Sequence, residues 1–329
     1  MEVFRSIVKI LESPDKLSFH SNLFLIGSCF AENIGKILTQ NKFNVICNPF
    51  GVVYNPISVG NSLQILMEGK VFSSRDLNFA NDLWFSYAHH GKFSNQEADV
   101  CLENINSQMQ KAALNLANAD VLFLTFGTSW VYELIETGEI VSNCHKQPAK
   151  SFHRYRLDVD EIVKLYKELI VSLSLFNPQL KIVFTISPIR HWKDGAHGNQ
   201  LSKATLLLAV DQLVGLFDQV SYFPSYEIVM DELRDYRFYA ENMMHTNSIA
   251  EKYIWSRFVD TYMEKNTISL MKKIGKIIAA SNHRAFNPDS ESHQQFIASV
   301  LSDMSDLEKL YPNILFDVER SRIRKNLLI

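Results

Sequence analysis

Cysteine is scarce in this chain, long apolar runs are missing, and charge of one sign never accumulates. Four cysteines stand at 29, 47, 101 and 144 among 329 residues. None forms a C-x-x-C pair, so neither a zinc ribbon nor a disulfide framework has support, and free thiols are expected. No apolar run approaches the roughly 20 residues of a membrane span. The N-terminus, Met1 to Ser6, shows no basic segment followed by an apolar core, so no signal peptide is read and a soluble, cytoplasmic chain is expected. Basic and acidic residues, 33 and 36, are interspersed and leave a net charge of -3. The basic face or tail of a nucleic-acid binder is missing. The densest basic stretch, Arg320 to Lys325, reads as a solvated end. No G-x-x-x-x-G-K-[ST] occurs, and Gly127-Thr128-Ser129 is too short for a phosphate loop. Cys144-His145 lies near other histidines, but no ligand spacing recurs, so neither a metal nor another cofactor is expected.

What is present is a globular balance, 47% apolar and 21% charged. Five apolar segments bounded by turn residues read as buried strands: Leu23 to Ile26, Asn44 to Cys47, Val121 to Phe126, Ile182 to Ile186 and Tyr226 to Met230. None alternates cleanly, which points to a parallel sheet covered on both faces. Between them lie helical patterns. Asp158 and Glu161 predict a capped start to a helix carrying Ile162, Leu165, Leu169 and Leu173. A second helix is predicted from about Gln200 to Phe217, and a third carries Ile249, Tyr253, Phe258 and Tyr262. Alternating strands and helices predict a three-layer α/β/α sandwich on a five-stranded parallel sheet. Residues 58 to about 118 form an insertion with a short helix at about Ser62 to Met67, an aromatic loop from Trp84 to Gly91, and a long helix up to Ala119. No internal repeat or low-complexity linker divides the chain. One domain is expected over 1–265, with a helical extension over 266–329 interrupted at Asn287-Pro288 and Pro312.

Ligands of open parallel sheets bind outside the C-terminal ends of the strands. Gly27-Ser28 follows the first strand and Asn48-Pro49-Phe50-Gly51 the second. Gly127-Thr128-Ser129 follows the third, Ser187 to Trp192 the fourth, and Glu241 to His245 comes after the fifth. Turn chemistry explains the Gly, Pro and Asn residues. It does not explain a serine at one edge and a histidine just before a helix at another. A hydroxyl needs a base, the base needs an orienting partner, and a tetrahedral oxyanion needs fixed donors. Ser28 can supply the nucleophile, His245 the base, and the backbone N–H groups of Ser28 and Gly51 the donors. Cys29 is the minor alternative nucleophile.

These residues resemble the GSCFA family, a branch of the SGNH/GDSL hydrolases. Gly27-Ser28-Cys29-Phe30-Ala31 spells the motif that names it. Asn48 to Gly51 with Tyr54-Asn55-Pro56, His89-His90-Gly91, Thr125 to Tyr132, Asn143 to Lys146, Ser187 to Gly195 with Asn199-Gln200, and Phe238-Tyr239-Ala240 also look like the family. The resemblance spans roughly residues 3 to 265. It implies a flavodoxin-like SGNH fold and esterase or acyl-transfer chemistry, with Ser28 as nucleophile, Gly51 and Gly127 as the glycines of the second and third blocks, and His245 as base. Three positions depart from the pattern: Asn242 stands where the triad's Asp is usual, Thr246 where Pro follows the histidine, and Ser129 where the third block offers Asn. An Asn at position 242 carries no charge for an imidazolium, and its NH₂ can select the wrong tautomer. Glu241 is ionised but displaced by one residue.

Further expectations attach to the cleft. His191 either lines it or is a packing histidine, and Asp194 and Asn199 either join it or cap turns. His89 and His90, beside Trp84 and Tyr87, either shape an acyl or sugar pocket or belong to a partly buried aromatic loop. His145 joins them through the family stretch around it. The leading expectation is a serine esterase acting on a small-molecule or carbohydrate acyl ester. The alternatives are an acyltransferase onto a sugar or other alcohol, a ligand-binding pseudo-hydrolase, and a structural scaffold.

Overall fold

The computed structural model describes residues 5–283 and 286–327. The first four residues read for a leader, and the side chain of Lys325 in the basic end, lie outside the described residues. Among the described residues, nine strands run in chain order: β1 (Asn22–Gly27), β2 (Asn44–Cys47), β3 (Asn78–Ala80), β4 (Leu83–Phe85), β5 (Val121–Phe126), β6 (Trp130–Leu134), β7 (Phe152–Arg156), β8 (Lys181–Ile186) and β9 (Val220–Phe223). The α-helices of the described residues are α1 (Cys29–Gln40), α2 (Pro56–Glu68), α3 (Ala98–Ala117), α4 (Val159–Phe176), α5 (Gly195–Leu216), the single turn α6 (Ser225–Glu227), α7 (Ser248–Tyr262), α8 (Lys265–Ser281), α9 (Glu291–Leu310) and α10 (Asp317–Leu327).

The central sheet has the order β2-β1-β5-β8-β9, and the fold is a three-layer α/β/α sandwich. β1 pairs with β5, β5 with β8, and β8 with β9, all parallel. Gly27 stands opposite Thr125, and Thr125 opposite Thr185, so the strand ends fall in line at one edge. Phe24 and Ile26, Leu122 and Leu124, and Ile182 and Phe184 share a buried core with Leu63, Ile105, Tyr166 and Leu206 of the helices. Their neighbours along the strands, Leu23, Leu25, Phe123 and Val183, are buried as well. Burial on both faces is why these strands carry no polar alternation.

The chain forms two compact units. The larger comprises residues up to Leu11, Asn22–Gly35 and Val45–Arg257, and it holds almost all of the sheet. The smaller comprises Glu12–Ser21, Lys36–Asn44 and the residues from Phe258 onward. Within the smaller unit, Phe19 stacks on Phe43 at 4.4 Å, and Lys42 pairs with Glu319 at 2.8 Å. Its helices break between Ser281 and Glu291 and again before Asp317, around the two proline sites.

Local chemistry accounts for several boundaries. Asp158 Oδ1 accepts from the Glu161 N–H, and Glu161 returns the bond to the Asp158 N–H, both at 2.8 Å, which starts α4 as expected. Asn55 accepts from the Ser58 N–H at 2.8 Å with Pro56 at the first helical position, so α2 begins six residues before the expected Ser62. The fifth strand is a correction. Tyr226 to Met230 is not a strand: the edge strand is Val220–Phe223, and Pro224 ends it. Ser225 Oγ donates to Ile186 O at 2.7 Å and turns the chain into α6 and the π-helical turn Ile228–Glu232. Tyr226, Ile228 and Val229 are buried, and a short buried helical turn reads like a short buried strand. Two antiparallel hairpins, β3-β4 and β6-β7, were not anticipated.

Candidate active site

Gly27 closes β1 with φ +141°, and a β-carbon there would stand 2.1 Å from Thr125 O, so only glycine fits. Ser28 follows at the N-terminus of α1. It is 3% exposed, and its Oγ accepts from the Phe30 N–H at 3.3 Å. Asn48, with φ 46°, folds back so that its Oδ1 accepts from the Gly27 N–H at 2.8 Å. Its Nδ2 is buried with no partner. The expected oxyanion donors differ from what is found. The Ser28 N–H donates to Thr125 O at 3.1 Å and the Gly51 N–H to Asn48 O at 2.8 Å, so both are engaged. Gly51 serves packing instead: a β-carbon there would lie 2.2 Å from His90 Cβ. The N–H groups lacking an intrahelical acceptor at this edge are those of the first turn of α1.

The β5 edge is latched in the same way. The N–H groups of Gly127 and Thr128 donate to Tyr54 O at 2.8 and 3.2 Å. Ser129 does not reach the cleft. It is fully buried, with its N–H and Oγ bonded to Ser202 Oγ of α5 at 2.8 and 3.1 Å.

Ser28, Cys29, Tyr54, His90, His191 and His245 line one cavity of about 510 Å³. No hydrogen bond joins Ser28 to His245. Around Gly127, a methyl group would lie 3.2 Å from His191 Nε2, 3.4 Å from Tyr54 O and 3.5 Å from Ser28 Cβ. His191 and Ser28 therefore flank one small space. Burial, with the Lys203 charge adding, holds His191 down at about 4, so its ring is neutral. His245 is exposed. Asn242 Nδ2 donates to its Nδ1 at 2.8 Å, while Asn242 Oδ1 accepts from the N–H groups of Met244 and His245, both at 3.0 Å. Those two backbone donors fix the amide's orientation. Nδ1 is thus the acceptor, and the neutral ring carries its proton on Nε2. Cys29 is a poor candidate nucleophile: burial pushes its thiol up, outweighing the Tyr54 hydroxyl bond that lowers it.

A model of the GSCFA family matches residues 22–258, and a model of the GSCFA domain protein, C-terminal domain, matches residues 274–329. This chain belongs to the GSCFA family. No curated protein matches it. Among solved structures it is similar to a Clostridium thermocellum family 3 carbohydrate esterase, with 15% identity over 76% of this chain and 96% of that one, at TM-score 0.33. It is also similar to the acetyl xylan esterase Est2A from the rumen bacterium Butyrivibrio proteoclasticus, with 12% identity over 80% and 67% of the two chains, at TM-score 0.36.

The remaining histidines of this GSCFA domain divide by burial. His90 reaches the cavity, with Nδ1 accepting from the Lys92 N–H at 3.2 Å. His89 does not. It is fully buried against Phe50, Phe72 and Phe93, and desolvation holds it down at about 3. Its ring is an aromatic-core element, because both nitrogens lack partners there. His145 is also structural: its Nε2 lies 3.0 Å from Ser86 O and 3.0 Å from His89 O, and its ring stacks on Phe85. Asn199 accepts from the His191 N–H at 3.0 Å, and Asp194 pairs with Arg154 at 2.5 Å.

Lys203 was missed. It is 1% exposed, and its Nζ donates to Gly127 O and Ser187 O, both at 2.6 Å, tying the β5 and β8 edges together. Burial, with Arg190 adding, lowers it to about 7. A lysine sharing the apolar helical face of Leu206, Val210 and Leu213 was the available signal. Among the described residues, no group of three or more His, Cys, Asp or Glu side chains is arranged to hold a metal ion, and no helix is long and apolar enough to cross a membrane.

Proposed function

We propose that this chain is a serine ester hydrolase acting through an acyl-enzyme on Ser28. The observation that carries this reading is the position of Ser28: a strand-end hydroxyl at a helix N-terminus, on the wall of a cavity that also holds three imidazoles, of which His191 and His245 bear on the chemistry. Ser28 Oγ attacks the ester carbonyl carbon and its proton passes to an imidazole. The tetrahedral intermediate collapses, the leaving alkoxide takes that proton, and water then releases the carboxylic acid. An alcohol in place of that water would make the same intermediate a transferase. The N-terminus of α1 favours negative charge on the carbonyl-derived oxygen of that tetrahedral intermediate.

The imidazoles fit different parts of that cycle. His245 stands where the family resemblance puts the base, yet Asn242 holds it in the tautomer with Nε2 protonated. Accepting the serine proton at Nε2 first requires the ring to give that proton up or the amide to turn. His191, neutral and flanking the same small space as Ser28, can donate an Nε2 proton to the carbonyl oxygen, or take the serine proton as the other tautomer. The first role would replace the donor that Ser129 cannot supply.

The same Asn242 geometry favours a second reading, a fold that binds an ester but turns it over weakly. Hydrolysis of 4-nitrophenyl esters of increasing acyl length, compared between wild type and Ser28→Ala, tests the first. Turnover that is lost with Ser28 supports the hydrolase. Folded wild-type protein without turnover, or Ser28→Ala with undiminished turnover, removes it.

A further inference from the structure

The cleft is rich in cations, and most are accounted for. Arg154 pairs with Asp194 at 2.5 Å and lies over the Trp130 ring at 4.2 Å. Lys193 donates to Tyr132 Oη at 2.6 Å. Lys203 spends its protons on two carbonyls. Beyond the cleft, Arg234 pairs with Asp231 at 2.9 Å, and Arg237 with Asp235 at 3.8 Å. Asp194, Asp231 and Asp235 are thus each already paired with an arginine.

Arg190 is the exception. Its Nη2 meets only the Met230 sulfur, at 3.5 Å, and its Nε is buried with no partner. Among the described residues, no carboxylate pairs with it. It also sits at a junction. Arg190 lines the cavity of Ser28 and His191, and it lines an adjoining cavity of about 560 Å³ walled by Trp192, Met230, Tyr236 and Tyr239. An unpaired guanidinium in a partly buried wall is costly, and it repels the neighbouring Lys203. Its planar fork fits a carboxylate or a phosphate with two parallel hydrogen bonds.

We propose that Arg190 is an anion-binding subsite, and that the ester this protein takes carries a carboxylate or a phosphate, with the body of the molecule against the aromatic wall beyond it. That the anion belongs to an ester taken by Ser28 rests on the hydrolase reading; the anion site does not. Bound at Arg190, the charged group would fix the ester relative to Ser28, since Arg190 and His191 are consecutive and His191 flanks Ser28.

The test is calorimetric titration of full-length Ser28→Ala protein, which lacks the proposed nucleophile, with inorganic phosphate, D-glucuronate and D-glucose at low salt. The expected result is saturable binding of at least one anion, weakened by added chloride, and none of glucose. The tighter anion names the group. Arg190→Gln should weaken that binding at least about tenfold, as loss of a charge-assisted pair predicts, with Arg190→Lys between the two. Binding of neither anion, or equal binding by a folded Arg190→Gln variant, overturns the proposal. If that variant does not fold, the anion-against-glucose contrast in the parent decides alone. Intact anion binding without any ester turnover removes the hydrolase reading and keeps this site; turnover of neutral esters without anion binding does the reverse.

Discussion

The two regions that would have to cooperate in catalysis are built in opposite ways. The serine edge is buried and over-determined: Gly27 admits no side chain, Asn48 and Thr125 hold the backbone on either side of Ser28, and Lys203 ties the next two strand ends together. The histidine loop, from Tyr239 to Thr246, is largely exposed and closed by local bonds, chiefly those of Asn242. A rigid serine edge set beside an exposed loop that keeps the His245 proton on Nε2 teaches that the serine geometry can persist where a proton relay to it would be poor.

The largest expected effect strikes the rigid side. Gly27→Ala would place a methyl 2.1 Å from Thr125 O at a φ that side chains avoid. It should cost more than about 4 kcal/mol or prevent folding, read by urea denaturation. Loss of under 1 kcal/mol would mean this edge is not rigid. Ser28→Ala should keep the fold, since it removes one capping bond worth about 1 kcal/mol, while lowering any ester turnover by about 10³ or more.

Asn242→Asp sharpens the contrast from the loop side. A carboxylate accepts from Nδ1–H, frees Nε2 and stabilises the imidazolium. In a serine protease the reverse exchange costs about 10⁴ in kcat, so a rise of tenfold or more is expected here. No change would show that Asn242 does not orient the working base.

A smaller effect is read from pH. His89 titrates at about 3 in the folded protein against about 6.5 unfolded, so the unfolded chain binds more protons between those values. Stability from this site is present above pH 6.5 and lost as pH falls toward 3. His89→Phe should remove roughly 3 kcal/mol of the loss between pH 6.5 and 4. A denaturation series against pH that keeps its slope in the variant would contradict the buried, unpartnered ring.

Four of the five sheet strands were legible because short, largely apolar runs followed by Gly, Asn or Ser leave few readings. The edge strand was not: Val220–Phe223 is short, and the buried turn after Pro224 is more apolar than the strand itself. The serine edge and the hazard of Asn242 could be read from spacing and side-chain chemistry. The engaged N–H groups of Ser28 and Gly51, the burial of His89 and Ser129, and the lack of a carboxylate partner for Arg190 depend on contacts between distant segments. Lys203 lies between: its place on an apolar face was visible, its two carbonyl partners were not.

Intact-mass measurement after fluorophosphonate treatment, on wild type, Ser28→Ala and Asn242→Asp side by side, asks most directly whether Ser28 is an activated nucleophile. The prediction is a single adduct on wild type, a faster one on Asn242→Asp, and none on Ser28→Ala. Folded wild type and Asn242→Asp that both stay unlabelled, or a label that survives Ser28→Ala, would contradict it.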